Sequence, residues 1–174
     1  MAKSHDLGGV TFTDYSQEVL DEFGEACLRA LEKIGITAER YAKENITRNG
    51  NVDTGLLRNS ITYAISGKAP AISSYKADNP KSGKKNSGAY SGEAPKESNG
   101  LSVYVGTNVE YGPYVEMATG KHASGGRPKP WGYVDDEGAA HWTAGNPAKP
   151  FLAPAVKEHA TTYRNIIEDE LQNG

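Results

Sequence analysis

Asp53-Thr54-Gly55 is the triplet in this chain whose residue types belong to a bond-breaking chemistry. In aspartic-type hydrolases such a triplet supplies one of two carboxylates that share a proton and activate water. There it sits on a tight loop after an apolar strand. Here Asn49-Gly50-Asn51 precedes it and Leu56-Leu57-Arg58-Asn59-Ser60 follows. That context favours Asp53 or Thr54 as the cap of a short helix, with Gly55 permitting the turn. His5, His122, His141 and His159 are scattered, and Cys27 falls in an apolar stripe, so neither gives the clustered spacing of a metal cage. No Gly-x-Ser-x-Gly elbow, Walker-type loop or Gly-x-Gly-x-x-Gly occurs. The expectation is a protein that is not an enzyme and holds no cofactor or metal.

Lysine offers a second chemistry. Between Gly67 and Asn99 stand Lys68, Lys76, Lys81, Lys84, Lys85 and Lys96, against Asp78, Glu93 and Glu97, with Tyr75 and Tyr90 among them. Cations interleaved with aromatics can hold single-stranded nucleic acid. The same composition suits a solvated arm, or an arm that docks on an acidic neighbour. Arginine is missing and the aromatics form no ordered series, so a protein partner is favoured over DNA. The segment is too polar to offset its own ordering entropy. It reads as a flexible inserted arm or hairpin, ordered by neighbours and carried by Tyr75, Lys76, Lys81, Lys84, Lys85, Tyr90 and Lys96.

The elements that must position these residues follow from periodicity. Val19, Leu20, Phe23, Cys27, Leu31, Ile34, Ala38, Tyr41 and Ile46 recur at three- and four-residue steps, which predicts a long amphipathic helix over 16–47. Acidic residues crowd its first half and basic ones its second, matching the helix macrodipole. Asp14 with Gln17 suggests a capping box, and Gly35 a kink or split. Residues 1–13 read as an N-terminal tail that includes a short strand from Val10. Ser60 to Ser66 alternates as a strand, with Ile61, Tyr63 and Ile65 on one face. Leu101, Val103 and Val105 mark another, ended by Gly106. Val109, Tyr111, Tyr114, Val115 and Ala118 then suit a short helix closed by Gly120. After a Gly/Pro-rich loop, Trp131–Val134 and 139–143 read as a hairpin. The prolines of Pro150-Phe151-Leu152-Ala153-Pro154 fix the backbone, so Phe151 and Leu152 are expected to anchor a last helix over 155–171.

Three segments, in order, carry a family likeness: Val52 to Ile61, Gly100 to Gly120, and Gly145 to Ala155. Together they resemble the small head–tail joining and tail-completion proteins of long-tailed bacteriophages, also called neck proteins. Where many members carry arginine ahead of the Pro-Phe-Leu segment, this chain has Lys149. The resemblance implies a structural virion protein that forms a ring in the neck, joins the head connector to the tail and surrounds the path of the DNA without binding it specifically. It implies six-fold closure first and twelve-fold as the alternative, with connector or head-closure and tail-terminator or tail-tube proteins as neighbours. The rival readings are a DNA-binding adaptor using the lysine arm and a hydrolase using Asp53.

The 174 residues suit a single domain, and a formal charge of −3 argues against a protein whose main task is wrapping nucleic acid. One cysteine excludes an internal disulfide, and no apolar run approaches a membrane span. The expectation is a protein made in the host cytoplasm and carried in the virion. Its fold is expected to be α+β, a mostly antiparallel sheet of four or five strands packed by the two long helices. A ring needs two different patches meeting head to tail. One is expected at Tyr111, Tyr114 and Met117, held by Gly112-Pro113, and the complementary one at Trp131 and Tyr133.

Overall fold

The computed structural model describes residues 3–6, 11–66, 68, 74–90, 101–135 and 138–173. The apolar stripe and its charge gradient form one unbroken helix, α1 (Ser16–Arg48). It starts at Tyr15, whose side chain makes no cap hydrogen bond; the side chain of Asp14, expected to cap the helix, lies outside the described residues. It ends in a Schellman motif. Gly50 takes a positive φ of 67°, its N–H bonds to the Thr47 carbonyl at 3.1 Å, and the Asn51 N–H reaches the Ile46 carbonyl at 3.2 Å. Gly35 neither kinks nor splits α1. It is buried, and a Cβ there would overlap the ring of Tyr63. The glycine lets a strand pair approach the helix, a role of close packing.

That pair is β3 (Thr62–Ile65) and β6 (Val103–Gly106), antiparallel, with Tyr63 opposite Val105. All four β3 residues are buried, so the expected one-sided alternation is replaced by burial on both faces. Before α1, β1 (Lys3–Asp6) pairs with β2 (Thr11–Asp14), so the segment read as a tail contains a ladder. Within the lysine-rich insert β4 (Ser74–Lys76) pairs with β5 (Ser87–Ala89), and late in the chain β7 (Trp131–Val134) pairs with β8 (Ala140–Thr143). The class is α+β with antiparallel pairing throughout. Among the described residues the strands are distributed over four two-stranded ladders, where one sheet of four or five strands was expected. Strands of three or four residues make too few ladder bonds to recruit further neighbours, and helix packing supplies the cohesion instead.

The core lies where the last third of α1 meets the middle of the chain. Ala42, Ile46, Leu56, Leu57, Ile61, Tyr75, Val109, Phe151 and Ala155 form one buried cluster. Leu56 and Leu57 belong to the single-turn helix α2 (Leu56–Asn59), and Val109 precedes α3 (Gly112–Met117). The C-terminal segment comprises two helices, α4 (Leu152–Lys157) and α5 (Ala160–Asn173), where one was expected. At the break, His159 stacks on Tyr41 of α1 with ring centroids 3.4 Å apart. Helix α5 then runs antiparallel to α1, so that Glu170 pairs with Arg29 and Lys33. Small residues on α1, Ala26, Ala30, Ala38 and Ala42, are buried where it packs against the rest of the fold. The first two turns of α1 lie beyond the cover. Val19, Leu20 and Phe23, expected in the apolar stripe, are exposed, Leu20 at 63%. Among the described residues no helix is long and apolar enough to cross a membrane.

Candidate functional site

Three surfaces hold the residues that sequence reasoning singled out. The first surrounds Asp53-Thr54-Gly55. Gly55 has a φ of 82°, which only glycine adopts without strain, and a Cβ there would overlap the carboxylate of Asp78. The Thr54 hydroxyl accepts the Leu56 N–H at 3.3 Å and so supports the start of α2. Asp53, the alternative cap, instead pairs with Lys81, and with Lys84 at 3.3 Å. Hydrogen bonds first from Lys81 and then from Lys84 hold its carboxyl below the ordinary aspartate range. Asp78 is lowered too, by Asn59 and then Arg58. Two carboxylates both favoured in the ionised form are the reverse of a dyad sharing one proton, in which one member is raised.

These contacts fasten the β4–β5 hairpin to the body. Asn59 Nδ2 donates to Asp78 Oδ1 and to the Lys76 carbonyl, each at 2.8 Å, and Arg58 meets Asp78 at 2.5 Å. Tyr75, expected in an outer arm, is a core residue at 6% exposure, and its hydroxyl donates to Asn108 Oδ1 at 2.6 Å. The described part of the insert is therefore docked. Lys81 and Lys84 share the single carboxylate of Asp53, while Lys76 and Lys85 are also exposed and Tyr90 is half-buried. Lys96 lies outside the described residues. Between residues 51–58, Lys84–Lys85 and Val109–Tyr111 is a cleft of about 440 Å³. Tyr111 lines it, and burial pushes the Tyr111 hydroxyl up from its ordinary pKa.

The second surface is a clamp that joins the expected anchor over residues 150–154 to Glu116, a residue not singled out from sequence. Glu116 on α3 accepts three backbone N–H groups at the start of α4. They come from Phe151 (2.7 Å) and Leu152 (3.0 Å) to Oε2, and from Ala153 (2.9 Å) to Oε1. The carboxylate thereby meets the orphan donors and the positive end of the helix together. Asn45 donates to the Phe151 carbonyl at 3.1 Å and Asn49 to that of Pro150 at 2.9 Å. Lys149 uses its Nζ on the Asn49 carbonyl at 3.1 Å. Phe151 is 0% exposed and Leu152 half-buried, with Pro150 on the outside and Pro154 in the first turn of α4. The available signal was a glutamate on one short helix and a helix start lacking a capping side chain, residues far apart in the chain.

The third surface is the β7–β8 ribbon and its base. Thr119 and Lys121 donate backbone bonds to the Asn146 and Ala144 carbonyls, each at 2.9 Å, and pin the ribbon's foot. Gly120 and Gly145, both at positive φ, permit that crossing, since a Cβ on either would overlap the other strand's backbone. Beyond the foot the ribbon's two faces are open. Trp142 packs over Gly132 on one face, with Val134 beside it, and Trp142 is 79% exposed. On the other face Tyr133 stacks with His141 at 5.3 Å, and Arg127 lies 5.9 Å from the Trp131 ring centre. Tyr114, Arg127 and Trp131 line one shallow pocket, and Tyr114 and Met117 are exposed. The structure brings Tyr114 and Trp131 into the same patch. They were expected on two different patches that meet between subunits, and here they lie side by side on one subunit.

Residues 11–117 match the model of the family described as "Bacteriophage HK97-gp10, putative tail-component". The match ends at Met117, the last residue of α3, and so takes in α1, the docked hairpin and the β3–β6 pair. No curated protein and no solved structure gives a match.

Proposed function

Because the chain belongs to the HK97-gp10-like family of phage tail components, we propose that it is a structural, non-enzymatic protein of the virion. In this reading copies close into a ring in the neck that joins the head connector to the tail, with the genome passing through. Six-fold closure is the first choice and twelve-fold the alternative, as the resemblance to neck proteins of a symmetric tail implies; the heterologous contact itself requires only a rotation that closes. The observation that carries the reading is the aromatic ribbon. A two-stranded ladder is marginal alone, yet this one leaves Tyr133, Val134 and Trp142 in solvent. Exposed aromatic clusters of this kind mark protein contacts.

The test is a phage stock in which the gene is silenced. Filled heads and finished tails are expected to accumulate unjoined, and the supplied chain is expected to join them in vitro. Infectious particles at normal titre without the chain overturn the proposal. The hydrolase rival is checked by assaying peptide cleavage in the wild type and in Asp53→Asn, with no cleavage expected from either. For the DNA adaptor, the slope of affinity against salt is the readout. With Lys81 and Lys84 engaged by Asp53, a weak and sequence-independent slope is expected.

A further inference from the structure

We propose that the ribbon surface of one copy, Tyr114, Arg127 and Trp131, seats on the uncovered start of α1 of a second copy, at Val19, Leu20 and Phe23. The inference rests on the ring reading and supplies the complementary half that the ribbon lacks. Tyr114 on the one surface and Val19, Leu20 and Phe23 on the other are exposed, and Trp131 beside Tyr114 is half-buried. Their charged rims are opposite. From Tyr15 to Ala26 the chain has four acidic residues, Glu18, Asp21, Glu22 and Glu25, and no basic one. The adjoining end of α5 adds exposed Glu168 and Asp169. Arg127 lines the ribbon pocket, and Lys121 and Lys129 lie within two residues of its lining in the chain; all three are exposed, and among the described residues no carboxylate forms an ion pair with any of them.

Distance makes the contact intermolecular. The ribbon stands at the C-terminal end of α1, because Tyr114 shares a pocket with Asn51 and Lys149 reaches Asn49. From Phe23 to Asn49 a helix rising 1.5 Å per residue covers about 39 Å. One copy cannot fold either surface onto the other. Two different patches at opposite ends of a subunit are what a head-to-tail contact requires. An apolar centre with oppositely charged rims gives both burial and a fixed register.

Charge reversal tests this in the full chain. One variant carries Asp21→Lys, Glu22→Lys and Glu25→Lys. The other carries Lys121→Glu, Arg127→Glu and Lys129→Glu. All six sites are on the surface, and a melting curve separates lost association from lost folding. Each variant alone is expected to associate at least about tenfold more weakly than the wild type in sizing and native mass spectrometry. Mixed in equal amounts, the two are expected to recover the association, because each reversed surface then finds its opposite on the other chain. Single variants that associate like the wild type, or a mixture that stays apart, overturn this interface. A wild type that remains monomeric at high micromolar concentration overturns it as well. The gene-silencing experiment decides the neck assignment independently of all these outcomes.

Discussion

Glu116 and Phe151, separated by 35 positions in sequence, meet where the carboxylate Oε2 lies 2.7 Å from the backbone nitrogen. The same carboxylate holds the next two N–H groups and so fixes where α4 begins. Glu116→Ala strands donors that are partly out of water. A lost charged partner costs about 1.5–3 kcal/mol, so the variant is expected to fall by roughly that much. Glu116→Gln keeps one acceptor oxygen and should fall about half as far. Urea unfolding with an unchanged m-value checks both. Equal midpoints for all three proteins would show that the clamp contributes nothing.

Gly35→Ala sets two effects against each other. Alanine in place of glycine stabilises a helix interior by about 1 kcal/mol. The added methyl, however, meets the Tyr63 ring, and overpacking a core costs about 1–3 kcal/mol. The clash should win in the wild-type background. With Tyr63→Ala already in place, the helix term should reverse the sign of the Gly35→Ala effect. A double-mutant cycle measures the coupling, and additivity would sink the account.

Glu170 ties α5 to α1, and Lys33, then Arg29, hold its carboxyl below the ordinary glutamate value. A depressed folded-state pKa means the unfolded chain takes up its proton first as pH falls. The stabilisation is therefore present at neutral pH. It begins to fade near the ordinary glutamate pKa and is gone once pH has passed the lower folded value. Wild type is expected to melt above Glu170→Gln at neutral pH, and the gap is expected to close through that acid window. A gap that is constant with pH would assign the difference to packing.

Phe151 and Trp142 make a matched pair, one at 0% exposure and the other at 79%. Phe151→Ala should cost about 3–5 kcal/mol, as for other buried rings. In the free subunit Trp142→Ala should stay within about 0.5 kcal/mol of wild type. If Trp142→Ala melts far below wild type, the ribbon belongs to the cooperative unit and its exposure has been misread.

The long helix was legible because thirty-odd residues repeat one period and carry a charge gradient along it. How far that helix is covered was not. Val19, Leu20 and Phe23 continue the same stripe as Ala38 and Ile46, and only the end of α5 near Glu170 determines where cover stops. Of the two readings of the insert, arm or hairpin, the described residues hold a hairpin, and composition did not reveal how it attaches. A lysine-rich segment reads as an arm, but one buried Tyr75 and the Asp78 contacts of Arg58 and Asn59 suffice to dock it. Gly35 shows the same limit. Its spacing signals a helix defect, and only the position of Tyr63 reveals a packing site. The β7–β8 hairpin is local and was legible, whereas the β3–β6 pairing and the Glu116 clamp are long-range relations, which local patterns do not encode.

Both tryptophans of the chain, Trp131 and Trp142, sit on the β7–β8 ribbon. The indole fluorescence of this protein therefore reports one surface and is nearly silent about the core, whose rings are Phe151, Tyr63 and Tyr75. Denaturation followed by tryptophan emission and by far-ultraviolet dichroism, which follows α1, will trace two different events. A blue shift on mixing with a partner would record coverage of the ribbon directly, with no dye attached.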